Sequence, residues 1–460
     1  MSRSLPPQLL QSLHGVSGFD EQSFVEVHQE RKEVVSVRFN PLKYQNNHQQ
    51  LFPGSFKVPW SSLGYYLAER PSFTLDPLLH AGVYYVQEAS GMFIEHCLRQ
   101  LADTTLPVKV LDLCAAPGGK STLLRSIISA DSLLVSNEVI KGRVNILAEN
   151  MIKWGAPNVI VTNNDPKHFA RMPGFFDIML VDAPCSGSGL FRRDPEAMNE
   201  WSVEAVEMCS LRQQRIVTDA LPCLNKGGLL IYSTCSYSRE ENENICDWML
   251  DNFNLENVAV DIAPEWNIIA TESDKHHAVG YRFFPDKIAG EGLFVACFRK
   301  NDGTEEKLSL KKERLVSASK GDRLIAADWV EQHHKYRMFE LQSQIFAFPD
   351  LLAEYLQVMH QNMYIKNAGV VLGKVMKNAL VPDHQLALSS IVNKNLASIV
   401  LKKAEALQYL RKEEVTVNTN TKGWALAQFE NQNIGWVKVL DNRINNYYPK
   451  EWRILKSGNN

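Results

Sequence analysis

Between residues 103 and 300, short apolar runs rich in β-branched residues alternate with longer stretches of helical character. No other feature limits the fold as strongly. The strand candidates are residues 108–113, 133–137, 158–163, 177–181, 229–233 and 292–298. Strands separated by helical spans are joined by crossovers, which sets most of them parallel in one sheet with helices on both faces. Such sheets bind ligands beyond the carboxyl ends of their strands. The residues that follow each run are therefore the first to examine.

The first run leads into Leu-Asp-Leu-Cys-Ala-Ala-Pro-Gly-Gly-Lys-Ser-Thr, residues 111–122, where a helix begins straight after the glycines. Glycine lets backbone approach a ligand closely, and a helix start offers free N–H groups. Glu138 follows the second run, 19 residues past Gly119, where an acid suits ribose hydroxyls. Asp165 follows the third run and Asp182 the fourth. Acids after three successive strands suit an adenosine-type cofactor without a triphosphate. A phosphate-binding loop is the rival, because Gly119-Lys-Ser-Thr resembles its end. The first glycine of that pattern would fall on Cys114, and Pro117 removes an N–H from the phosphate cradle.

Two further runs end in cysteine. Asp182-Ala-Pro-Cys-Ser places Cys185 after the fourth, and Ser233-Thr-Cys-Ser places Cys235 after the fifth. A lone cysteine is more often a small buried residue. Two at ligand-binding strand ends would bring two thiols to one cleft. Carbon 5 of cytosine is a poor nucleophile, and a thiolate adding to carbon 6 puts enamine-like density on it. A base then removes the carbon 5 proton so that the thiolate can leave, which divides one hard step into easier ones. Lys120 is placed to favour a thiolate, and Asp182 to hold the base through N3 or the exocyclic amine.

These motifs resemble the RNA 5-methylcytosine methyltransferase family (RsmB/NOP/Sun-like). Four blocks carry the resemblance: Tyr84 to Ser90, Asp112 to Lys120, Asp182 to Gly187 and Ser233 to Ser236. The resemblance implies an S-adenosylmethionine-dependent enzyme in which Cys235 attacks the base and Cys185 assists release. Its cofactor contacts would fall on Cys114, Ala115, Ala116, Pro117, Gly118, Gly119, Lys120, Glu138, Arg143, Asp165 and Asp182. The tail from Gly435 to Pro449 resembles the small PUA-like domain of bacterial 16S rRNA methyltransferases of the RsmF type. The implied fold is α/β: a Rossmann-like methyltransferase sheet with a small N-terminal domain and a C-terminal PUA-like β domain. The expected boundaries are 1–100, 101–300, a connector or intermediate domain over 301–405, and 406–460.

Charge supports RNA as the partner. The chain carries −3 overall, but residues 361–460 hold 14 Lys and Arg against 7 Asp and Glu. A basic segment on an acidic body is a footprint for nucleic acid. In the tail, Lys438, Arg443, Lys450 and Arg453 are interleaved with Trp436, Tyr447, Tyr448 and Trp452, a pattern that suits phosphates and exposed bases, though residue by residue core aromatics beside surface lysines are the commoner case. The small-subunit 16S rRNA is the expected target, with transfer RNA, or a non-catalytic assembly factor, as alternatives. His276-His277 has no ligand partners at useful spacing, so no metal is assigned. No apolar run reaches the ~20 residues of a membrane span. The eight cysteines form no Cys-x-x-Cys pair, and the first residues lack a secretion signal. A cytoplasmic monomer is the expectation.

Overall fold

The computed structural model describes residues 5–30, 33–44, 48–303 and 315–456. Ten strands build the central sheet: β1 (Lys109–Asp112), β2 (Leu133–Asn137), β3 (Val159–Thr162), β4 (Phe176–Asp182), β5 (Leu224–Thr234), β6 (Leu255–Asn257), β7 (Ile269–Glu272), β8 (Val279–Phe283), β9 (Leu293–Lys300) and β10 (Ile365–Ala368). Their spatial order is β7-β8-β9-β5-β4-β1-β2-β3-β10, with β6 paired to β9. The inner five, β3-β2-β1-β4-β5, are parallel. β9 returns antiparallel beside β5. All six expected runs are strands of this Rossmann-like sheet.

Helices α1 (Gly119–Ile127), α2 (Lys141–Trp154), α3 (Val203–Ala220) and α4 (Glu243–Asn252) accompany these strands. Successive strand residues enter cores on opposite sides of the sheet: Leu111, Val135 and Met179 lie in one, Val110, Leu134 and Ile178 in the other. That double burial explains the nearly continuous apolar runs. The order of strands reverses at β1, from which β2 and β4 lie to either side, so the turns after these strands open one crevice.

Three smaller sheets surround this one. An N-terminal antiparallel sheet has the order Phe56–Lys57, Gly64–Tyr66, Ser36–Phe39, Tyr84–Val86. Its Arg38 is fully buried against α1, where it donates to Gln87 Oε1 at 2.8 Å, Ser126 Oγ at 2.8 Å and Thr122 Oγ1 at 2.6 Å. Within 301–405, read from sequence as a connector, a five-stranded antiparallel sheet runs from Val316–Ser317 to Ala379–Pro382. β10 leaves this region to pair antiparallel with β3. Residues 304–314 of the expected connector lie outside the described residues. The C-terminal sheet takes its first strand from Ser398–Val400, upstream of residue 406, followed by Gly423–Phe429, Gln432–Val439 and Ile444–Asn446.

In the tail, the commoner reading of the aromatics as core residues holds for two of the four. Trp436 and Tyr448 are each 1% exposed and belong to cores. Trp452 lies against Lys153 of α2 and the ring of His384. Tyr447 is 39% exposed and Trp452 is half-buried. A small sheet needs its large rings to fill its own core, and they are spent there. His276 and His277 pair with separate acids, Asp251 at 2.8 Å and Glu272 at 3.3 Å. No helix among the described residues is long and apolar enough to cross a membrane.

Candidate functional site

The crevice is lined by acids, one from each of four neighbouring strand ends. Asp112, the last residue of β1, is fully buried; Oδ2 accepts from Ser121 Oγ at 2.6 Å, while Oδ1 has no protein partner. Burial pushes its carboxyl up to about 7. Glu138 follows β2 and accepts from Ile140 N at 2.9 Å. Asp165, after β3, caps the turn Pro166–Arg171 through Lys167 N at 3.2 Å. Asp182 closes β4; its Oδ1 accepts from Ser233 Oγ at 2.9 Å and its Oδ2 lies 2.8 Å from Lys120 Nζ.

The turn Cys114–Lys120 forms the floor. Gly118 has φ +118°, a conformation glycine adopts without strain, and α1 starts at the next residue. A Cβ on Gly119 would sit 3.3 Å from Tyr85, in the block Tyr84–Ser90. Ala115 N donates to Asn137 O at 2.8 Å, and Arg143 reaches back from α2 to Ala116 O at 2.6 Å and to Glu138 at 3.5 Å. Arg143 thus braces the turn as well as facing the crevice. The Cys114 thiol is pushed far up by burial and by Asp112, Asp182 and Glu138, so it stays protonated. Burial works against the charge on Lys120, but Asp182, with smaller contributions from Cys235 and Asp112, outweighs it and holds the ammonium charged.

Cys185 and Cys235 meet. Their sulfurs are 3.0 Å apart, on the turns after β4 and β5, and both side chains are only partly buried. Hydrogen bonding to Cys235, burial and nearby negative charge raise the Cys185 thiol well above its ordinary value. The other cysteines are placed differently: Cys97, Cys223, Cys246 and Cys297 are core residues. Cys114 to Lys120, Glu138, Asp165, Asp182, Cys185 and Cys235 thus gather at the ends of β1 to β5 and on the turns that follow.

Some participants gave no sequence signal. Asn137, buried at the end of β2, donates to Leu113 O at 3.1 Å and Asn164 O at 2.9 Å and accepts from Thr162 Oγ1 at 2.8 Å. One amide so ties the ends of β1, β2 and β3. Glu88 accepts from Ser90 N, Gly91 N and Glu291 N, holding the turn beside Lys120. Glu241 accepts from both cysteine-bearing turns. Glu88 and Asp112 fall within the blocks Tyr84 to Ser90 and Asp112 to Lys120, whereas Asn137 and Glu241 had no such hint.

Known proteins resemble the chain along most of its length. The family described as 16S rRNA methyltransferase RsmB/F matches residues 101–299. The N-terminal domain of 16S rRNA methyltransferase RsmF matches 5–89, and the methyltransferase RsmF PUA domain matches 397–454. Ribosomal RNA small subunit methyltransferase F of Aliivibrio salmonicida is 30% identical over 450 residues, covering 92% of each chain. The protein of the same name from Escherichia coli O127:H6 is 28% identical over 416 residues, covering 86% of this chain and 84% of its own. Among solved structures, a methyltransferase homolog protein from Pyrococcus horikoshii is 28% identical with TM-score 0.53, covering 64% of this chain and 100% of that one. NSun6 from Pyrococcus horikoshii with SFG shares the fold at 18% identity and TM-score 0.54, covering 65% and 99%.

Proposed function

This chain belongs to the ribosomal RNA small subunit methyltransferase F family, and from that premise we propose that it methylates carbon 5 of a cytosine in the RNA of the small ribosomal subunit. S-adenosylmethionine is the donor. The residues present suit it: the unpartnered Asp112 Oδ1 and the carboxylates of Glu138, Asp165 and Asp182 offer acceptors for an ammonium and for ribose hydroxyls, above a glycine turn open to close approach. Four acids in one crevice equally disfavour a triphosphate, and Lys120 is engaged with Asp182 rather than aimed at a phosphate. When bound, the cofactor supplies an electrophilic sulfonium methyl.

The observation that carries the reading is the 3.0 Å meeting of Cys185 and Cys235 beside the Lys120–Asp182 pair. In the proposed sequence the Cys235 thiolate bonds to carbon 6, the carbon 5–carbon 6 double bond opens, and its electron pair makes carbon 5 nucleophilic. Asp182 holds the ring through the exocyclic amine, and the charge that Cys235 brought spreads over N3 and O2 until carbon 5 is methylated. After carbon 5 has been methylated, Cys185 as thiolate takes the proton from carbon 5. The double bond re-forms and the Cys235–carbon 6 bond breaks, returning Cys235 as a thiolate. The target base must leave its stack to reach these sulfurs.

The test is the Cys185→Ala variant mixed with cellular RNA and S-adenosylmethionine on a denaturing protein gel. A covalent protein–RNA band is expected, absent from Cys185→Ala/Cys235→Ala, and sequencing its RNA names the target. A transfer RNA in the band would replace the substrate assigned here. Wild type that transfers no methyl group to RNA would leave a binding protein instead.

A further inference from the structure

Two partly buried thiols at 3.0 Å do not both carry charge, because like charges at that distance drive their ionisations apart. The sulfurs face different neighbours. Cys235 interacts with the ammonium of Lys120, which also holds Asp182. Cys185 interacts with the carboxylate of Glu241. Tyr232 on β5 also interacts with Cys185, and Cys209 on α3, itself beside Arg212, interacts with Cys235.

Glu241 sits behind both turns. It accepts from Ser186 N at 2.9 Å, Ser186 Oγ at 2.5 Å, Ser236 Oγ at 2.5 Å and Gln213 Nε2 at 3.1 Å. Ser186 and Ser236 directly follow Cys185 and Cys235, and their hydroxyls are 3.2 Å apart. One carboxylate fastens the first turn to the second. Its own backbone is fixed by Tyr232, whose hydroxyl donates to Glu241 O at 2.7 Å. The next residue, Asn242, accepts from Thr234 Oγ1 at 2.6 Å and donates to Ser236 O at 2.8 Å.

We infer that Glu241 is a positioning residue that sets the spacing of the two thiols and, through its charge, keeps the pair's proton on Cys185, so that Cys235 is the sulfur that ionises. The inference deepens the function proposed above and rests on both thiols taking part in it. Cys235 releases its proton to solvent, and the Cys185 S–H donates to the resulting thiolate. Once the Cys235 sulfur is bonded to carbon it no longer bears charge, and its repulsion on Cys185 ends. Cys185 can then lose its own proton to solvent and act as the base, with Glu241 the remaining restraint.

Alkylation with iodoacetamide tests this on the full chain, without RNA or cofactor. Peptide mapping across pH reads Cys185 in a Cys235→Ser background and Cys235 in a Cys185→Ser background. Cys235 is expected to react at lower pH than Cys185. Glu241→Gln should bring the Cys185 onset down by about one pH unit, giving about tenfold more adduct at a pH below that onset. Ser186→Ala keeps the charge but removes a hydroxyl that shares it, so the Cys185 onset should rise. An unchanged onset in Glu241→Gln, shifts of the same sign in both variants, or Cys185 reacting first would overturn the inference. If Glu241→Gln does not fold, Ser186→Ala and Ser236→Ala decide alone: a rise supports it, no rise overturns it. Alkylation that behaves as expected while Cys185→Ala traps no RNA would sink the proposed function without touching this one.

Discussion

At the scale of single residues, Asp112 sets up a conflict between stability and binding. Its carboxyl ionises at about 7 rather than 3.8 because burial penalises the charge. A raised acid favours the fold below the unfolded value and loses that contribution as pH rises through about 7, at most about 4 kcal/mol for this group. The chain without cofactor should therefore melt lower as pH climbs from 4 to 8, and Asp112→Asn should flatten that slope. The same variant should weaken binding of S-adenosylmethionine, because its amide no longer offers an unpartnered charged oxygen. Melting curves across pH and titration calorimetry read the two effects; a slope unchanged in the variant would remove Asp112 as its cause. Such a residue was only half legible in the sequence. Cys185, Cys235 and Asp182 announce themselves by standing at strand ends, and Lys120 by following the glycine turn. Glu241 and Asn137 act through hydrogen bonds to residues of other strands and turns, and no local pattern marks a buried carboxylate or amide as a clamp.

Among elements, α1 depends on a side chain from another sheet. Arg38 reaches it from the N-terminal strand Ser36–Phe39, bonding Ser126, Thr122 and Gln87 and lying 4.7 Å from the Trp154 ring. Arg38→Met would remove the donor that Gln87, Thr122 and Ser126 share, at a cost of about 1–3 kcal/mol. Denaturant titration should show that loss, and a variant as stable as wild type would mean the contacts are replaced by water. The central strands were legible because helices cover both faces and make each run apolar throughout. The hairpins between residues 330 and 390 were not. Their turns, Gln342-Ser343 and Lys377-Asn378, each place two successive residues at positive φ without a glycine. The usual Asn-Gly signal of such turns is missing, so the strands they join read as loop or connector. The tail aromatics left two readings open, since spacing alone does not separate a ring that fills a small core from one that meets a base.

For the whole molecule, the catalytic sheet is finished by chain that lies far along the sequence. β10 covers the edge of β3, and Phe339, Phe346 and Phe348 of the five-stranded sheet join the same core as Leu111 and Met179. A fragment ending at residue 303 should therefore expose an unpaired strand edge and an apolar face, and should elute as aggregates in size-exclusion chromatography where the full chain does not. A well-behaved fragment would show that the edge needs no cover. The same pairing has a consequence in time. β3 ends at Thr162 and its partner begins at Ile365. At the usual pace of synthesis, about 5–20 residues per second, the edge waits about 10–40 s for its neighbour to leave the ribosome. Late in that interval, once residue 300 has been made, the nascent chain carries a nearly complete methyltransferase centre with one side open to any passing strand.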